Sequence, residues 1–226
     1  MKKIFSLIIP LSCLLIQSFA QREDLNNRKM NDQETGSLLY IVQYNDVKGS
    51  PFLFDDWTNG EILTDNARFK NLPVKFDAYS NKFIVNRHDT AYEISPAIKE
   101  IRLYTSPDTS EMMTFKKGFS INDKINNQTF LQVLAEGKMS LLKYVRKDME
   151  EYNEYGDATK YKRFTDYKQD YILTNGQYKS VTLSKKNLQD VLSDKWNQVS
   201  QFLTQKNLNG KDEKSWALAI QYYNSL

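Results

Sequence analysis

The order of apolar and polar positions divides the chain into a strand-rich region and a helical C-terminal region. Leu72, Val74 and Phe76 alternate with polar neighbours, which is the period of a half-buried strand. Short apolar runs separated by polar turns predict further strands at residues 38–42, 83–85, 92–94, 98–103, 130–135, 139–145, 171–174 and 177–183. Asn175-Gly176 separates the last two runs, and this dipeptide favours the positive φ angles of a type I′ hairpin turn.

The hydrophobic period becomes helical after Ser184. Apolar residues then recur at spacings that place them on one side of a helix: Leu188, Val191, Leu192, Trp196, Val199, Phe202 and Leu203. Asn209-Gly210 predicts a helix stop, and Asp212 predicts the N-cap of a last helix. We therefore expect an α+β fold, mainly antiparallel β-meanders and hairpins in a curled sheet, barrel-like or sandwich-like, followed by two or three C-terminal helices.

The first twenty residues have the pattern of a secretory signal peptide. Two lysines precede an apolar run from Ile4 to Ile16, and the small-residue step Ser18-Phe19-Ala20 provides a cleavage site. The run is too short to cross a bilayer, and no later segment is apolar over a sufficient length. We expect an exported protein, periplasmic or extracellular, that begins near Gln21 and has no transmembrane segment after the signal. Lipidation at Cys13, which would anchor the chain as a lipoprotein, is the alternative.

Composition divides the chain further. After the signal at 1–20, residues 21–36 are polar and charged, which predicts a tether or disordered arm. We assign residues 37–106 to an N-terminal β-meander, 107–183 to a second β region and 184–226 to the C-terminal helices.

Charge and cysteine content exclude several classes of function. The signal removes two of the 31 basic residues, so 29 remain against 28 acidic residues, and the two signs are interspersed. A nucleic-acid binder would concentrate Lys and Arg in one patch, so we exclude that class. The one cysteine, Cys13, lies in the signal, so the mature chain has no thiol for a disulfide, a metal site or a nucleophile.

Catalytic motifs are not found. His88 is the sole histidine, and its neighbour Asp89 would point to the opposite face of an extended chain, so we interpret both as solvated loop residues. The segment from Gly118 to Asn122 approaches a Gly-x-Ser-x-Gly elbow but ends in Asn. The acidic run from Asp148 to Asp157 lacks EF-hand spacing. We therefore predict no catalytic residue, no cofactor and no metal site.

Tyrosine is concentrated in one part of the second β region. Seven of the fourteen tyrosines fall between Tyr144 and Tyr178, and the stretch 147–169 shows no clear period, so we expect a long tyrosine-rich loop there. Such rings offer large, rigid contact area with a polar tip. The candidate ligand-binding residues are Tyr152, Tyr155, Tyr161 and Tyr167. The alternative is that these rings pack over the sheet with their hydroxyls in water.

Three features of the chain stand out together: the segment from Gly49 to Gly60, the meander that follows it and the ending from Tyr222 to Leu226. Together they resemble a group of small secreted proteins of unassigned function from Bacteroidota-type bacteria. The resemblance implies a secreted or envelope location and no particular activity. Within the first segment, Gly49 and Pro51 suit a tight turn, and Trp57 is expected to be a core anchor.

These observations favour a non-enzymatic envelope module that binds a protein or glycan partner. The alternative is a carboxylate-dependent hydrolase of envelope or extracellular polymers, because such an enzyme needs only two suitably placed acids. The hydrolase hypothesis predicts two buried acids in one cleft.

Overall fold

The computed structural model describes residues 44–226, except residues 45, 65, 66, 96, 107 and 109. The expected signal peptide, Cys13, the polar tether and the expected strand at 38–42 lie outside the described residues.

Eleven strands and three α-helices account for the regular structure within the described residues. The strands are β1 (Val47–Lys48), β2 (Thr58–Leu63), β3 (Arg68–Asp77), β4 (Lys82–Arg87), β5 (Thr90–Glu93), β6 (Glu100–Tyr104), β7 (Met112–Lys116), β8 (Leu131–Ala135), β9 (Met139–Asn153), β10 (Lys160–Thr174) and β11 (Gln177–Val181). The helices are α1 (Lys185–Val191), α2 (Trp196–Gln205) and α3 (Glu213–Ser225), and a 3₁₀ turn at Ser193–Lys195 joins α1 to α2.

All eleven strands belong to one open, mixed sheet in this part of the chain. The strand order is β1-β10-β9-β8-β7-β6-β2-β3-β4-β5, and β11 pairs with β10. The pair of β1 with β10 is parallel, whereas the other pairs are antiparallel. A β-rich fold with C-terminal helices is confirmed, but the sheet does not close into a barrel. The two β regions are joined in this sheet by the pairing of β6 with β7.

Phenylalanine rings fill the core of the N-terminal region. Phe76 on β3 lies 4.5 Å from Phe83 on β4 and 5.1 Å from Phe115 on β7, measured between ring centroids. The Phe83 and Phe115 rings are also 5.3 Å apart, although three strands separate β4 from β7 in the strand order, so the sheet must bend. The Asn81 side chain, in the turn between β3 and β4, accepts a 2.7 Å hydrogen bond from the Phe130 amide and holds this turn against the chain that enters β8.

The three helices cover one face of the sheet at strands β8 to β11. Leu141 on β9 and Ile172 on β10 pack in one cluster with Trp216, Ile220 and other apolar residues of the helices. Side-chain caps begin two helices, since Ser184 accepts from the Asn187 amide and Asp212 accepts from the Ser215 amide. No helix within the described residues has the length and apolar character needed to cross a membrane.

A loop at residues 117–130 covers the opposite face of the same strands. Ile125 of this loop packs with Leu142 and Tyr144 of β9 and with Tyr171 of β10. The inner half of the β9–β10 hairpin is therefore buried on both faces.

Local turn predictions differ in outcome. Asn175 and Gly176 have φ angles of 49° and 74°, as the type I′ prediction requires, and they join β10 to β11. The predicted helix stop at Asn209-Gly210 is wrong, because α2 ends at Gln205. Asn207 takes the left-handed conformation (φ 52°) there, and the Leu208 amide bonds the Leu203 carbonyl, which closes the helix end earlier.

Candidate functional site

The tyrosine-rich stretch is the outer part of a β-hairpin. Strands β9 and β10 are 15 residues long each and stay in register from Met139↔Thr174 to Asn153↔Lys160. The expectation of a loop over 147–169 is therefore wrong. Both faces of the two strands carry charged residues, so apolar and polar positions do not alternate and the period of two is not visible in the sequence. We call residues 146–167 the arm.

Register decides which face of the arm each candidate residue occupies. Because successive side chains of a strand point to opposite faces, the pairs Tyr152↔Tyr161 and Arg146↔Tyr167 lie on the same face of the ribbon. Arg163, opposite Glu150, lies on that face as well. We call the set Arg146, Tyr152, Tyr161, Arg163 and Tyr167 the tyrosine face.

The tyrosine face is organised by ring and cation contacts. The Arg146 guanidinium lies 4.3 Å from the Tyr167 ring centroid, and that of Arg163 lies 5.0 Å from the Tyr152 ring centroid. The rings of Tyr152 and Tyr161 are 5.8 Å apart. These contacts hold the rings in place while Tyr161 and Tyr167 stay exposed to solvent.

Both arginines of this face also have carboxylate partners. Arg146 forms a 2.9 Å ion pair with Asp148, and Arg163 forms a 3.6 Å ion pair with Glu150. The face therefore combines aromatic area with charge that is balanced locally.

The fourth candidate tyrosine lies in the turn at the tip. Tyr155 is fully exposed, in the connection between β9 and β10. The Tyr161 hydroxyl donates a 2.7 Å hydrogen bond to Asp157 in the same turn, and this bond is the main reason that the pKa of Tyr161 is raised. The pKa of Asp157 is lowered, first by the hydrogen bond from the Thr159 amide and then by that from Tyr161.

Other parts of the chain contact the arm on its opposite face. Phe164, on that face, lies 5.3 Å from the Tyr44 ring and 5.4 Å from the Tyr79 ring, measured between centroids. The Lys147 amide donates a 3.0 Å hydrogen bond to the Ala78 carbonyl beside the β3–β4 turn. These contacts fix the arm to the rest of the protein, and the tyrosine face points away from them.

A second surface is a cleft of about 760 Å³ at the start of β2 and the end of β6. Residues 53–59 and 104–106 line it. Trp57, which the sequence pattern suggested as a core anchor, is 37% exposed and lines this cleft together with the equally exposed Phe54. That expectation is wrong because Leu53 is the residue of this segment that packs against the core, whereas the Trp57 ring stays outside it, beside the Lys75 ammonium.

Backbone hydrogen bonds attach the wall of the cleft to β3 and to the residue that follows it. The Leu53 amide donates to the Phe76 carbonyl, and the Ala78 amide donates to the Pro51 carbonyl, both over 2.9 Å. The Lys75 ammonium donates to the Asp55 carbonyl and lies 5.3 Å from the centroid of the Trp57 ring.

A buried carboxylate lies behind the cleft. Glu61, 1% exposed, pairs with Arg68 and with Arg102, and it accepts a 2.8 Å hydrogen bond from the hydroxyl of Tyr104, a residue of the cleft. The pKa of Tyr104 is raised by burial and by this hydrogen bond. Glu61 is the one fully buried acid among the described residues, whereas Asp55 and Asp56 in the cleft are exposed. Two buried acids in one cleft are therefore not found in this part of the chain.

The remaining sequence candidates occupy ordinary turns. His88 and Asp89 are exposed, with φ angles of 50° and 60°, and they join β4 to β5. Ser120 lies in the 117–130 loop, not in the strand-to-helix turn that a nucleophile elbow requires. Over the described residues, no three His, Cys, Asp or Glu side chains are grouped so that they could hold a metal ion.

Sequence reasoning missed the cleft and the arginines of the tyrosine face. Phe54 and Trp57 are separated from Tyr104 by more than forty positions, and only the pairing of β2 with β6 brings them together. A signal was present, because bulky aromatics and two aspartates stand together in a predicted loop, and loops carry a disproportionate share of binding residues. Comparison with protein-family models, with curated proteins and with solved structures found no match.

Proposed function

We propose that this protein is an exported, non-enzymatic module of the cell envelope that binds a protein partner through the tyrosine face of its arm. One observation carries the proposal: three of the four candidate tyrosines and two arginines share one exposed face of a long hairpin. The export signal expected at residues 1–20 supports the location, which intact mass of the secreted form would test.

The side chains of this face favour a protein as the partner. Tyrosine and arginine are the residue types that dominate binding energy at protein interfaces, together with tryptophan. Their rings and guanidinium groups are already positioned by mutual contacts, so little side-chain entropy is lost on binding. Because both arginines are paired with carboxylates, attraction of net charge contributes little, and we expect an affinity that depends weakly on salt.

The hydrolase alternative receives less support from the geometry. The acid that is buried, Glu61, is held by Arg68, Arg102 and Tyr104, so its charge is already compensated. A general acid in a glycosidase needs access to the substrate, and the side chain of Glu61 is only 1% exposed.

Affinity capture from an envelope extract, read out by quantitative mass spectrometry, tests the proposal. The bait is the mature chain, compared with Tyr152→Ser/Tyr161→Ser on the tyrosine face and with Glu151→Ser/Lys162→Ser on the opposite face of the same two strands. Both double variants alter the same part of the arm, so they control for a loosened hairpin.

We expect at least one protein to be captured by the native chain and by the opposite-face variant but lost from the tyrosine-face variant. Its purified form should then bind with an affinity reduced at least about tenfold by the tyrosine substitutions. The proposal is wrong if no captured protein distinguishes the two faces.

A further inference from the structure

The cleft at residues 53–59 and 104–106 has the features of a small-molecule site that is separate from the arm. We propose that this cleft binds a neutral saccharide. Its volume of about 760 Å³ falls within the range of about 300–1,000 Å³ that is usual for ligand pockets. The proposal stands independently of the protein partner, because no residue of the arm lines the cleft.

Exposed aromatic rings provide the apolar part of this site. Phe54 and Trp57 are each 37% exposed, and Tyr104 lines the cleft with them. Exposure of large aromatic side chains to water is unfavourable, and cover by a ligand or partner removes this cost. The C–H groups on one side of a sugar ring form an apolar surface that matches such rings.

Polar groups surround these rings. Six of the ten lining residues are polar: Asp55, Asp56, Thr58, Asn59, Thr105 and Ser106. Carboxylates accept hydrogen bonds, while amides and hydroxyls both donate and accept, so the set can satisfy the hydroxyls of a sugar. A purely apolar ligand would desolvate these groups without replacing their hydrogen bonds, which is costly.

Charge selects a neutral ligand over an ionic one. The chain's own Lys75 already occupies the cation position on the Trp57 ring, 5.3 Å from its centroid, and lies 4.8 Å from the Phe52 ring centroid. A cationic ligand would find this position on the Trp57 ring already taken, and an anionic ligand would be repelled by Asp55 and Asp56. A polyhydroxyl compound without charge meets neither penalty.

The site is held in shape without a ligand. The loop wall is hydrogen-bonded through Leu53 to β3 and through Pro51 to Ala78, the residue after β3. On the opposite wall, the Tyr104 ring is oriented by its hydrogen bond to the buried Glu61. Such preorganisation reduces the entropy lost on binding.

Calorimetric titration of the full mature chain against defined oligosaccharides tests the inference. The neutral probes are cellohexaose, mannohexaose and chitohexaose in its N-acetylated form, and the charged controls are deacetylated chitohexaose and hexagalacturonate. The variants are Trp57→Ala, the conservative Trp57→Phe and Tyr155→Ala, which removes an exposed ring on the arm. Thermal melting of each variant verifies that the fold is retained.

We expect at least one neutral probe to bind with a dissociation constant below about 1 mM and the charged controls to bind at least about tenfold more weakly. Trp57→Ala should weaken binding at least about tenfold, whereas Trp57→Phe should retain most of it and Tyr155→Ala should leave it unchanged. Binding should also shift the tryptophan fluorescence of the native chain but not that of Trp57→Phe. The inference is overturned if no neutral probe binds, if a charged control binds best, or if Trp57→Ala binds like the native chain.

Discussion

The β9–β10 hairpin passes through two environments, and their difference explains its sequence. Its base, residues 139–145 and 168–174, is covered by the helices on one face and by the 117–130 loop on the other. The arm continues the same two strands in the same register without that cover. The base carries Leu141, Leu142 and Ile172, while the arm carries mainly tyrosine and charge, with Met149 and Phe164 on the face opposite the tyrosine face. Regular backbone pairing thus extends beyond the hydrophobic core, with the exposed part free to form a contact surface.

The largest expected effect on stability is that of truncating an apolar residue in the base, compared with the same truncation in the arm. Leu141 and Met149 lie on the same face of β9, but Leu141 is fully buried against the helices and Met149 is half-buried on the arm. Leu141→Ala should destabilise the fold by about 2–5 kcal/mol, and Met149→Ala by less than about 1 kcal/mol. Urea unfolding of both variants measures the difference. Equal losses would show that the arm belongs to the core.

A smaller effect on stability is expected at the N-cap of α3, one of the helices that cover the base. The Asp212 side chain accepts a 2.7 Å hydrogen bond from the Ser215 amide at the start of α3. Asp212→Ala should cost about 1 kcal/mol, whereas Asp212→Asn keeps an acceptor and should cost less. Thermal melting compares the two variants. A loss as large for Asn as for Ala would contradict the cap.

The same cap should have a defined pH dependence. The pKa of Asp212 is held below its ordinary value of 3.8, mainly by the hydrogen bond from the Ser215 amide. Because the folded state favours the ionised form, its contribution is present at neutral pH and is lost as the pH falls below that ordinary value. Asp212→Ala should therefore differ most from the native chain at neutral pH and least in acid.

Asp170, in the base, should show the opposite sign. Burial raises its pKa above the ordinary value of 3.8, and the nearby Lys143, which pairs with Glu213, only partly offsets this. The folded state therefore favours the protonated form, and stability decreases as the pH rises from 3.8 through the raised pKa.

Asp170→Asn should accordingly raise the melting temperature at pH 7 by about 1–3 °C and remove this part of the pH dependence. Asp166→Asn, on the exposed arm, is the control, because the pKa of Asp166 is lowered by its hydrogen bond with Lys147. A lower melting temperature for Asp170→Asn would show that its charge stabilises the base.

The smallest effect on stability is expected at the tip of the arm. Tyr155 is fully exposed and lies in a turn, so Tyr155→Ser should change the free energy of unfolding by less than about 0.5 kcal/mol. Urea unfolding verifies this. A larger loss would mean that the tip contributes to folding, which would weaken the distinction between arm and base.

Several elements were predictable from local pattern, and particular residues show where that pattern fails. The alternation at Leu72, Val74 and Phe76 correctly predicts β3, and Asn175-Gly176 correctly predicts the turn after β10. Strand β2 was missed because Glu61 interrupts its apolar positions, and this buried acid is compensated by Arg68 and Arg102 from neighbouring strands. Such compensation depends on the pairing of β2 with β3 and β6, and a short stretch of sequence does not show which strands pair.

The sequence by itself determined that a strand-rich region precedes a helical one, that Asp212 caps the last helix, and which types of side chain are available for binding. These properties depend on interactions between residues close in the chain. Only the tertiary structure decided that the tyrosines share one face of a paired ribbon, that Trp57 lines a cleft, and that Glu61 is buried. Strand register and sheet order set these positions, and both result from contacts between residues far apart in sequence.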